Sequence, residues 1–173
     1  MKRELWLLRH GKSDWDSIAD DFARPLKKRG ERAAKQVGAW MKQQNLVPDL
    51  VISSPAKRAI DTAKLVCTAI GLPERDIKQD KHLYQEGFER IKTVLAAIHE
   101  EVKTVLLVGH NPDLEDLLLD LVGVANVPNQ DKLLPTAAIA RLVLPHDWKS
   151  LGSGNVTVIS IIHPKSLEED NNQ

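Results

Sequence analysis

Residues 4–13 read Glu-Leu-Trp-Leu-Leu-Arg-His-Gly-Lys-Ser, an apolar run that ends abruptly in an arginine, a histidine and a glycine. The run has the length and composition of a buried β-strand. Two later segments repeat this arrangement: Asp49–Ser53, followed by Ser54 and Arg58, and Lys103–Val108, followed by Gly109, His110 and Asn111. Helical patterns separate these strands. The alternation predicts an α/β fold with three α/β/α layers around a mostly parallel central sheet.

The remaining elements are predicted from periodicity and turn residues. Amphipathic helices are expected over 27–43, from the capping Ser54 to near Gly71, over 88–100, and after Pro112 to about Val122. Two late β-type runs, 138–144 and 156–162, flank a glycine-containing turn and predict an antiparallel pair at a sheet edge. Residues 72–84 are turn-rich and predict no regular element. We expect one domain over 1–165 and a loose polar tail over 166–173.

Composition excludes several classes of protein. The chain has 173 residues, in which 24 Lys and Arg balance 24 Asp and Glu. Without a net positive field, neither nucleic acid nor a membrane is expected as a partner. No apolar run approaches the ~20 residues of a membrane span, and the 42% hydrophobic content indicates a soluble globular protein. The single cysteine, Cys67, cannot form an internal disulfide, so we expect a cytoplasmic protein.

Unusual polar residues follow three of the predicted strands. Arg9 and His10 follow the first, Arg58 lies about one helical turn beyond the second, and His110 follows the third. Each residue alone is more typical of a cap or a surface charge. However, the carboxyl ends of parallel strands share one sheet edge, where the following helices also point their positive N-termini. Because arginine forks bind phosphoryl oxygens and imidazoles add contacts, the four together predict a phosphate pocket.

At these residues the chain resembles the histidine phosphatase superfamily, which includes cofactor-dependent phosphoglycerate mutases and SixA-type phosphohistidine phosphatases. The matching blocks extend over most of the chain and occur in the order typical of the family. They are Leu8-Arg9-His10-Gly11-Lys12-Ser13, Arg24-Pro25-Leu26 with Gly30, Ser53-Ser54-Pro55 with Arg58-Ala59 and Thr62, Val108-Gly109-His110-Asn111-Pro112, and Pro135-Thr136-Ala137-Ala138-Ile139. The last block is similar to the SixA-type group in particular.

The resemblance implies a phosphoglycerate mutase-like fold and a covalent phosphohistidine mechanism. It makes His10 the nucleophile, with the second ring nitrogen donating to a backbone carbonyl. Arg9 and Arg58 would clamp the phosphoryl oxygens, and His110 would donate to the same oxygens. The resemblance also implies no metal and no cofactor. It assigns substrate binding to Gly11, Ser13, Asn111, Thr136 and Ala137.

Some positions depart from the family pattern. Asp16 stands where many members have asparagine, and we expect it to point away because a carboxylate there would repel phosphate. Lys27 replaces a threonine that commonly caps the first helix. Members that cleave alcohol esters usually carry a glutamate acid where this chain has Gln85, and Glu86 comes one position later. Trp15, just past the first block, either walls the pocket or serves packing.

These departures favour phosphohistidine on a phosphotransfer protein, a histidine phosphotransfer domain, as the substrate. Imidazole can depart without a general acid, whereas an alkoxide needs a proton. The stretch 71–102 also leaves little material for a lid over a small substrate. If Glu86 does act as the acid, the protein is instead a small-molecule phosphomonoesterase. A non-catalytic phosphate-binding module is the third alternative, and the oligomeric state stays open.

Overall fold

The structure is a computed structural model that describes residues 2–171. Its strands are β1 (Arg3–Arg9), β2 (Leu50–Ser53), β3 (Ile77–Gln79), β4 (Thr104–Gly109), β5 (Ile139–Leu144) and β6 (Thr157–Ile162). Its helices are α1 (Lys28–Gln43), α2 (Lys57–Ile70), α3 (Phe88–Ala96), α4 (Asp113–Val122) and α5 (Pro164–Asn171). The strands form one sheet in the order β3-β2-β4-β1-β5-β6. β1 to β4 are parallel, and β5 runs antiparallel to both β1 and β6, which confirms the predicted fold class.

Side chains of β1 alternate between two cores, because successive residues of a strand point to opposite faces of the sheet. Leu5 and Leu7 face the core that α3 and α4 cover. Trp6 and Leu8 face the core that α1 and α2 cover. Each of these four side chains is at most 2% exposed. Burial on both faces explains why the central strands have continuous apolar sequences.

The strand register brings the ends of β1, β2 and β4 to one edge of the sheet. Arg9 in β1 lies opposite Gly109 in β4, and Ser53 in β2 lies opposite Val108 in β4. The residues that leave these strands therefore start from neighbouring positions. This geometry is what the parallel arrangement predicts, and it creates the site described below.

Several element boundaries differ from the sequence prediction. The helix predicted over 88–100 ends at Ala96, where Ala97 and Ile98 donate to carbonyls three residues back and tighten the last turn. The stretch 72–84 contains β3, whose three residues are too few to show periodicity. The predicted cap Ser54 lies before the helix: the N-cap of α2 is Ala56, and the Ser54 hydroxyl accepts the Ala56 N–H at 3.2 Å.

The loose tail was predicted over 166–173, and the structure describes its residues 166–171. These residues belong to α5, and Leu167 packs against the core beneath α1 and α2. One apolar side chain on a short helix of otherwise polar residues leaves almost no periodic signal in the sequence. The rest of the predicted tail lies outside the described residues. Within residues 2–171, no helix is long and apolar enough to cross a bilayer.

Candidate active site

The four residues predicted to converge do lie around one pocket. Arg9 and His10 come from the end of β1, His110 follows β4, and Arg58 lies in the first turn of α2. The His10 and His110 ring centroids are 5.1 Å apart. The pocket opens to solvent and has a volume of about 380 Å³. Two imidazoles and two guanidinium groups thus share a cavity at the carboxyl edge of the sheet.

His10 is held as a neutral ring with one reactive nitrogen. Its Nδ1 lies 2.7 Å from the carbonyl oxygen of Gly11, so Nδ1 carries the proton and donates it. This contact leaves the lone pair on Nε2. Burial, with smaller contributions from the nearby His110, Arg58 and Arg9, lowers the pKa of His10 to about 3. Near neutral pH, the His10 ring of the free protein is therefore uncharged, with its lone pair available on Nε2.

Gly11 supports His10 from behind, although the resemblance assigns it to substrate binding. Its N–H donates to the Thr62 hydroxyl at 3.0 Å, and that hydroxyl donates to the Arg58 carbonyl at 2.7 Å. A Cβ at Gly11 would lie 2.7 Å from the carbonyl oxygen of Gly30, so a larger residue would push the loop away. Thr62 thus connects the backbone of the nucleophile loop to the backbone of an arginine clamp.

Ala137 also lies behind the site and does not line the pocket. Its N–H is shared by the carbonyls of Arg9 and His10, each at 3.0 Å, and its side chain is fully buried in the core beneath α1 and α2. The residue has a φ of 60°. Ala137 therefore supports the end of β1 from behind the pocket. The predicted Ser13, Asn111 and Thr136 do line the pocket.

His110 is oriented by Ser54, which the sequence predicts as a helix cap and which belongs to one of the family blocks. Its Nε2 and the Ser54 hydroxyl are 2.7 Å apart and form a buried hydrogen bond. Its Nδ1 is buried and has no hydrogen-bond partner among the described residues. Burial, followed by the charge of Arg58, lowers the pKa of His110 to about 4. His110 is therefore neutral in the free protein near neutral pH.

The two predicted arginines are held at the pocket by different parts of the chain. Arg9 donates through Nη1 to the carbonyl of Leu134 at 3.1 Å, and the Asn111 amide donates to the same carbonyl at 2.9 Å. Arg58 is only 5% exposed and donates to both the backbone carbonyl and the carboxylate of Asp21. Each guanidinium is held by backbone or carboxylate contacts that fix its position at the pocket wall.

Asp21 is a pocket residue that the sequence analysis misses. Its carboxylate accepts from Arg24 at 2.7 Å and from Arg58 at 3.2 Å, and the Tyr84 hydroxyl also donates to it. The Tyr84 hydrogen bond is the first of the causes that lower the pKa of Asp21 to about 2. An ionised carboxylate therefore occupies donors that a phosphoryl group would use. Only the polar character of 12–24 could have pointed to it.

Arg24 is a third guanidinium at the pocket, and it was recognised only as part of a family block. It is 7% exposed, and its Nε donates to the Ser13 hydroxyl at 2.9 Å. Its guanidinium carbon lies 3.6 Å from the centroid of the Trp15 ring. Trp15 walls the pocket mouth while remaining 73% exposed, so the first of its two predicted roles is the one observed.

Neither of the two carboxylates considered in the sequence analysis reaches the pocket. Glu86, the possible acid, pairs with His82 at 3.0 Å and with Arg90 at 3.7 Å, and it does not line the cavity. Gln85 does line the cavity, at the position where ester-cleaving relatives carry the acid. Asp16 is exposed and lies away from the lining residues, as expected.

A second concavity of about 520 Å³ lies between 96–100 and 147–149. These segments precede β4 and follow β5, so the concavity lies at the amino edge of the parallel strands, opposite His10. Its lining contains no arginine and a single histidine, His99. The chemistry of this chain is therefore concentrated at the smaller, more cationic pocket. In residues 2–171 no cluster of three His, Cys, Asp or Glu side chains is placed to hold a metal ion.

Comparison with known proteins agrees with this geometry. A sequence model of the histidine phosphatase superfamily (branch 1) matches residues 5–88. The protein histidine phosphatase SixA complexed with tungstate has a TM-score of 0.79 to this chain at 26% identity, covering 95% of this chain and 99% of that one. A candidate phosphohistidine phosphatase SixA from Nakamurella multipartitia has a TM-score of 0.79 at 27% identity, covering 95% and 97%. The uncharacterized protein Rv1276c of Mycobacterium tuberculosis is 28% identical over 163 residues, which are 91% of this chain and 100% of that protein.

An α/β/α fold with a paired-histidine, multi-arginine pocket at the carboxyl edge of its sheet defines a phosphatase. The family model and the SixA structures together support placement of the chain in the histidine phosphatase superfamily. Among the solved structures described above, its similarity to SixA extends over nearly the whole chain.

Proposed function

We propose that this phosphatase hydrolyses phosphohistidine on a phosphotransfer protein through a covalent intermediate on His10. The observation that carries the proposal is a neutral, buried His10 in a pocket without a protonated carboxylate for the leaving group. Nδ1 of His10 is committed to the Gly11 carbonyl, and Nε2 is the free ring nitrogen. Among the described residues that line the pocket, Asp21 is the only carboxylate, and its pKa of about 2 keeps it ionised.

In the first chemical step, Nε2 of His10 attacks the phosphorus. A bond forms between Nε2 and phosphorus while the bond from phosphorus to the substrate nitrogen breaks, and the substrate ring keeps that electron pair. A substrate ring protonated on its other nitrogen leaves as neutral imidazole, so no acid is needed. The guanidinium groups of Arg9, Arg24 and Arg58 stabilise the charge on the phosphoryl oxygens.

In the second step, water attacks the phosphorus of the enzyme intermediate. The bond from phosphorus to Nε2 breaks, its electron pair returns to the ring, and the protons of the water pass to phosphate and solvent. His110 neighbours the ring of His10, and the dianionic substrate raises the pKa of His110 and favours donation to a phosphoryl oxygen. The hydrogen bond to Ser54 holds the His110 ring in place through both steps.

The competing assignment is hydrolysis of small phosphate esters with Glu86 as the acid. Its carboxylate is engaged by His82 and Arg90 away from the pocket, which argues against that role. The likeness to SixA adds weight to phosphohistidine, because that protein is a protein histidine phosphatase. Its complex with tungstate, a tetrahedral oxyanion like phosphate, fits an oxyanion site in either assignment.

A panel of leaving groups tests the proposal. Wild type should have its highest kcat/KM on a phosphorylated histidine phosphotransfer domain, an intermediate value on p-nitrophenyl phosphate and the lowest on an alkyl phosphate. The alkyl substrate should lag by roughly 10²-fold or more, the usual value of general acid assistance. Equal or greater turnover of alkyl phosphates would select the small-molecule phosphomonoesterase. Stoichiometric phosphate binding without turnover of any substrate would select the binding module.

A further inference from the structure

We propose that the exposed apolar side chains of Trp15, Ile18 and Phe22, the apolar rim, form the surface on which the phosphorylated protein docks. The inference rests on the proposed function and names the contact that would distinguish a protein substrate from a small phosphate. The partner it fits presents a phosphorylated side chain surrounded by apolar and basic residues.

Exposure of the apolar rim is unusual within this molecule. Residues 2–171 leave six large apolar side chains exposed, and three of them lie within the eight positions from 15 to 22. Trp15 is 73% exposed, Ile18 106% and Phe22 45%. The other three, Val47, Val124 and Ile159, lie singly on different segments. Scattered apolar residues need no explanation, whereas a cluster marks an interaction surface.

The apolar rim is attached directly to the catalytic pocket. The Trp15 ring stacks on the guanidinium of Arg24, which itself lines the cavity. The Phe22 ring meets Tyr84 edge to face with centroids 5.3 Å apart, and the Tyr84 ring lies 5.6 Å from that of His110. A partner that contacts Trp15 and Phe22 would therefore touch side chains that pack directly on pocket residues.

Ile18 lies within reach of a partner seated in the pocket. It is three residues from Trp15 and three from Asp21, both of which line the cavity. Three residues span at most about 11 Å even when fully extended. A standard protein interface covers about 800 Å² on each partner, which is a disc with a radius of about 16 Å. A protein docked over the pocket mouth would therefore cover Ile18, whereas a small phosphate ester held in the cavity would not reach it.

Charge around the apolar rim indicates what the partner carries. Asp14, Asp16 and Asp20 accompany the apolar side chains, and none of them forms an ion pair within the described residues. The pocket beside them carries Arg9, Arg24 and Arg58. The complementary surface has a phosphoryl anion at its centre and Lys or Arg next to it, with apolar side chains between. Acidic residues on the rim oppose an anionic lipid surface.

The test compares Ile18→Asp with the matched control Val124→Asp. Val124 is also a β-branched aliphatic residue and is 75% exposed, but it lies beyond the far end of α4, a helix of ten residues that begins beside the site. The end of α4 lies against the start of β6, where the Val156 N–H donates to the Leu121 carbonyl at 3.1 Å. β6 runs parallel to β1, so its start lies at the amino edge of the sheet, and Val124 therefore lies at the edge opposite the pocket mouth. Both variants are assayed on a histidine phosphotransfer domain phosphorylated with phosphoramidate, on a short phosphohistidine peptide, and on p-nitrophenyl phosphate.

Ile18→Asp should raise KM for the phosphorylated domain about tenfold, and leave kcat and p-nitrophenyl phosphate turnover within about twofold of wild type. The preference of wild type for the domain over the peptide should shrink in parallel. Val124→Asp should match wild type throughout. An unchanged KM for the domain in Ile18→Asp would overturn the docking assignment while leaving the proposed function intact.

The remaining outcomes also decide between alternatives. If wild type cleaves p-nitrophenyl phosphate but no phosphohistidine substrate, the proposed function fails, and the docking assignment fails with it. A wild-type dimer that Ile18→Asp dissociates would assign the rim to a second copy of the chain. Sedimentation of wild type with lipid vesicles, lost in Ile18→Asp, would assign it to a membrane surface. Either result would overturn the proposal.

Discussion

Replacing Asp21 by asparagine should tighten the binding of phosphate and vanadate. The Asp21 carboxylate accepts from Arg58 at 3.2 Å and from Arg24 at 2.7 Å, so it uses the donors that an incoming anion needs. It also repels a dianion held beside it. Asparagine keeps the shape and one acceptor oxygen for the Tyr84 hydroxyl, but removes the charge.

The magnitude follows from the exposure of the carboxylate. Two unit charges about 4 Å apart interact by about 1 kcal/mol in water and about 4 kcal/mol at an effective dielectric constant of 20. The Asp21 side chain is 41% exposed, so solvent screening places the effect toward the lower end. Removing the charge should therefore be worth about 1 kcal/mol, which lowers the inhibition constant of phosphate about fivefold.

The assay is competitive inhibition of p-nitrophenyl phosphate hydrolysis by phosphate and by vanadate at low ionic strength. The difference in inhibition constant between Asp21→Asn and wild type should shrink at high salt, because salt screens an exposed charge. It should persist from pH 5 to 8, because the pKa of Asp21 is about 2 and the group stays ionised over that range. Asp20→Asn is the matched control, since Asp20 is exposed in the same loop and pairs with no arginine. Weaker inhibition of Asp21→Asn would show that the carboxylate mainly positions the arginines, and would refute the reasoning.

Three further predictions concern the supports of the site. Thr62→Val leaves the buried Gly11 N–H without its hydrogen-bond partner, and should lower the free energy of unfolding by about 1–3 kcal/mol and kcat about tenfold. The exposed Thr68→Val, which loses only a bond to the Lys64 carbonyl in its own helix, should change neither quantity in urea unfolding and kinetics. Glu86→Gln should keep phosphohistidine and aryl phosphate turnover within about twofold of wild type, because the Glu86 carboxylate lies outside the pocket. If the rate depended more steeply on leaving-group pKa in the variant than in wild type, Glu86 would be acting as a general acid. Burial holds the pKa of His10 at about 3 and that of His110 at about 4, below the 6.5 of an unfolded chain, so unfolding binds protons as the pH falls below 6.5. Each histidine should therefore remove up to about 1.4 kcal/mol of stability per pH unit between pH 6.5 and about 4. The free energy of unfolding, measured by denaturant titration at several pH values, should fall less with pH in His10→Asn and His110→Asn than in wild type. An equal fall in the variants and in wild type would disprove this coupling.

Elements buried on both faces were the most predictable part of the fold. β1 and β4 begin and end within about one residue of the expected positions, because their apolar runs are continuous and stop at polar residues. Arg9, His10 and His110 follow directly from those strand ends, so the topology alone brings them together. β3 was not predicted because its three residues are too few to show a period. α5 was not predicted because one apolar residue on a polar helix leaves no periodic signal.

The loop residues of the site could not be predicted, because their positions depend on contacts distant in sequence. Asp21 reaches the pocket through Arg58 and Tyr84, which lie 37 and 63 positions later in the chain. Gly11 and Ala137 lie in blocks typical of the family and were predicted to bind substrate, and the structure places their backbones behind His10 and outside the pocket lining. A motif identifies which residues lie near a site, and the fold decides which of them face it.

The location of the transferred phosphoryl group tests the central claim most directly. Wild type and His10→Ala are mixed with a phosphorylated histidine phosphotransfer domain, quenched at base within milliseconds, and digested for mass spectrometry. The account predicts an acid-labile, base-stable phosphoryl group on His10 of wild type at early times and none in His10→Ala, while His99→Ala, an exposed histidine outside the pocket, behaves as wild type. Turnover by wild type without any phosphorylated His10, or full activity of His10→Ala, would contradict the account.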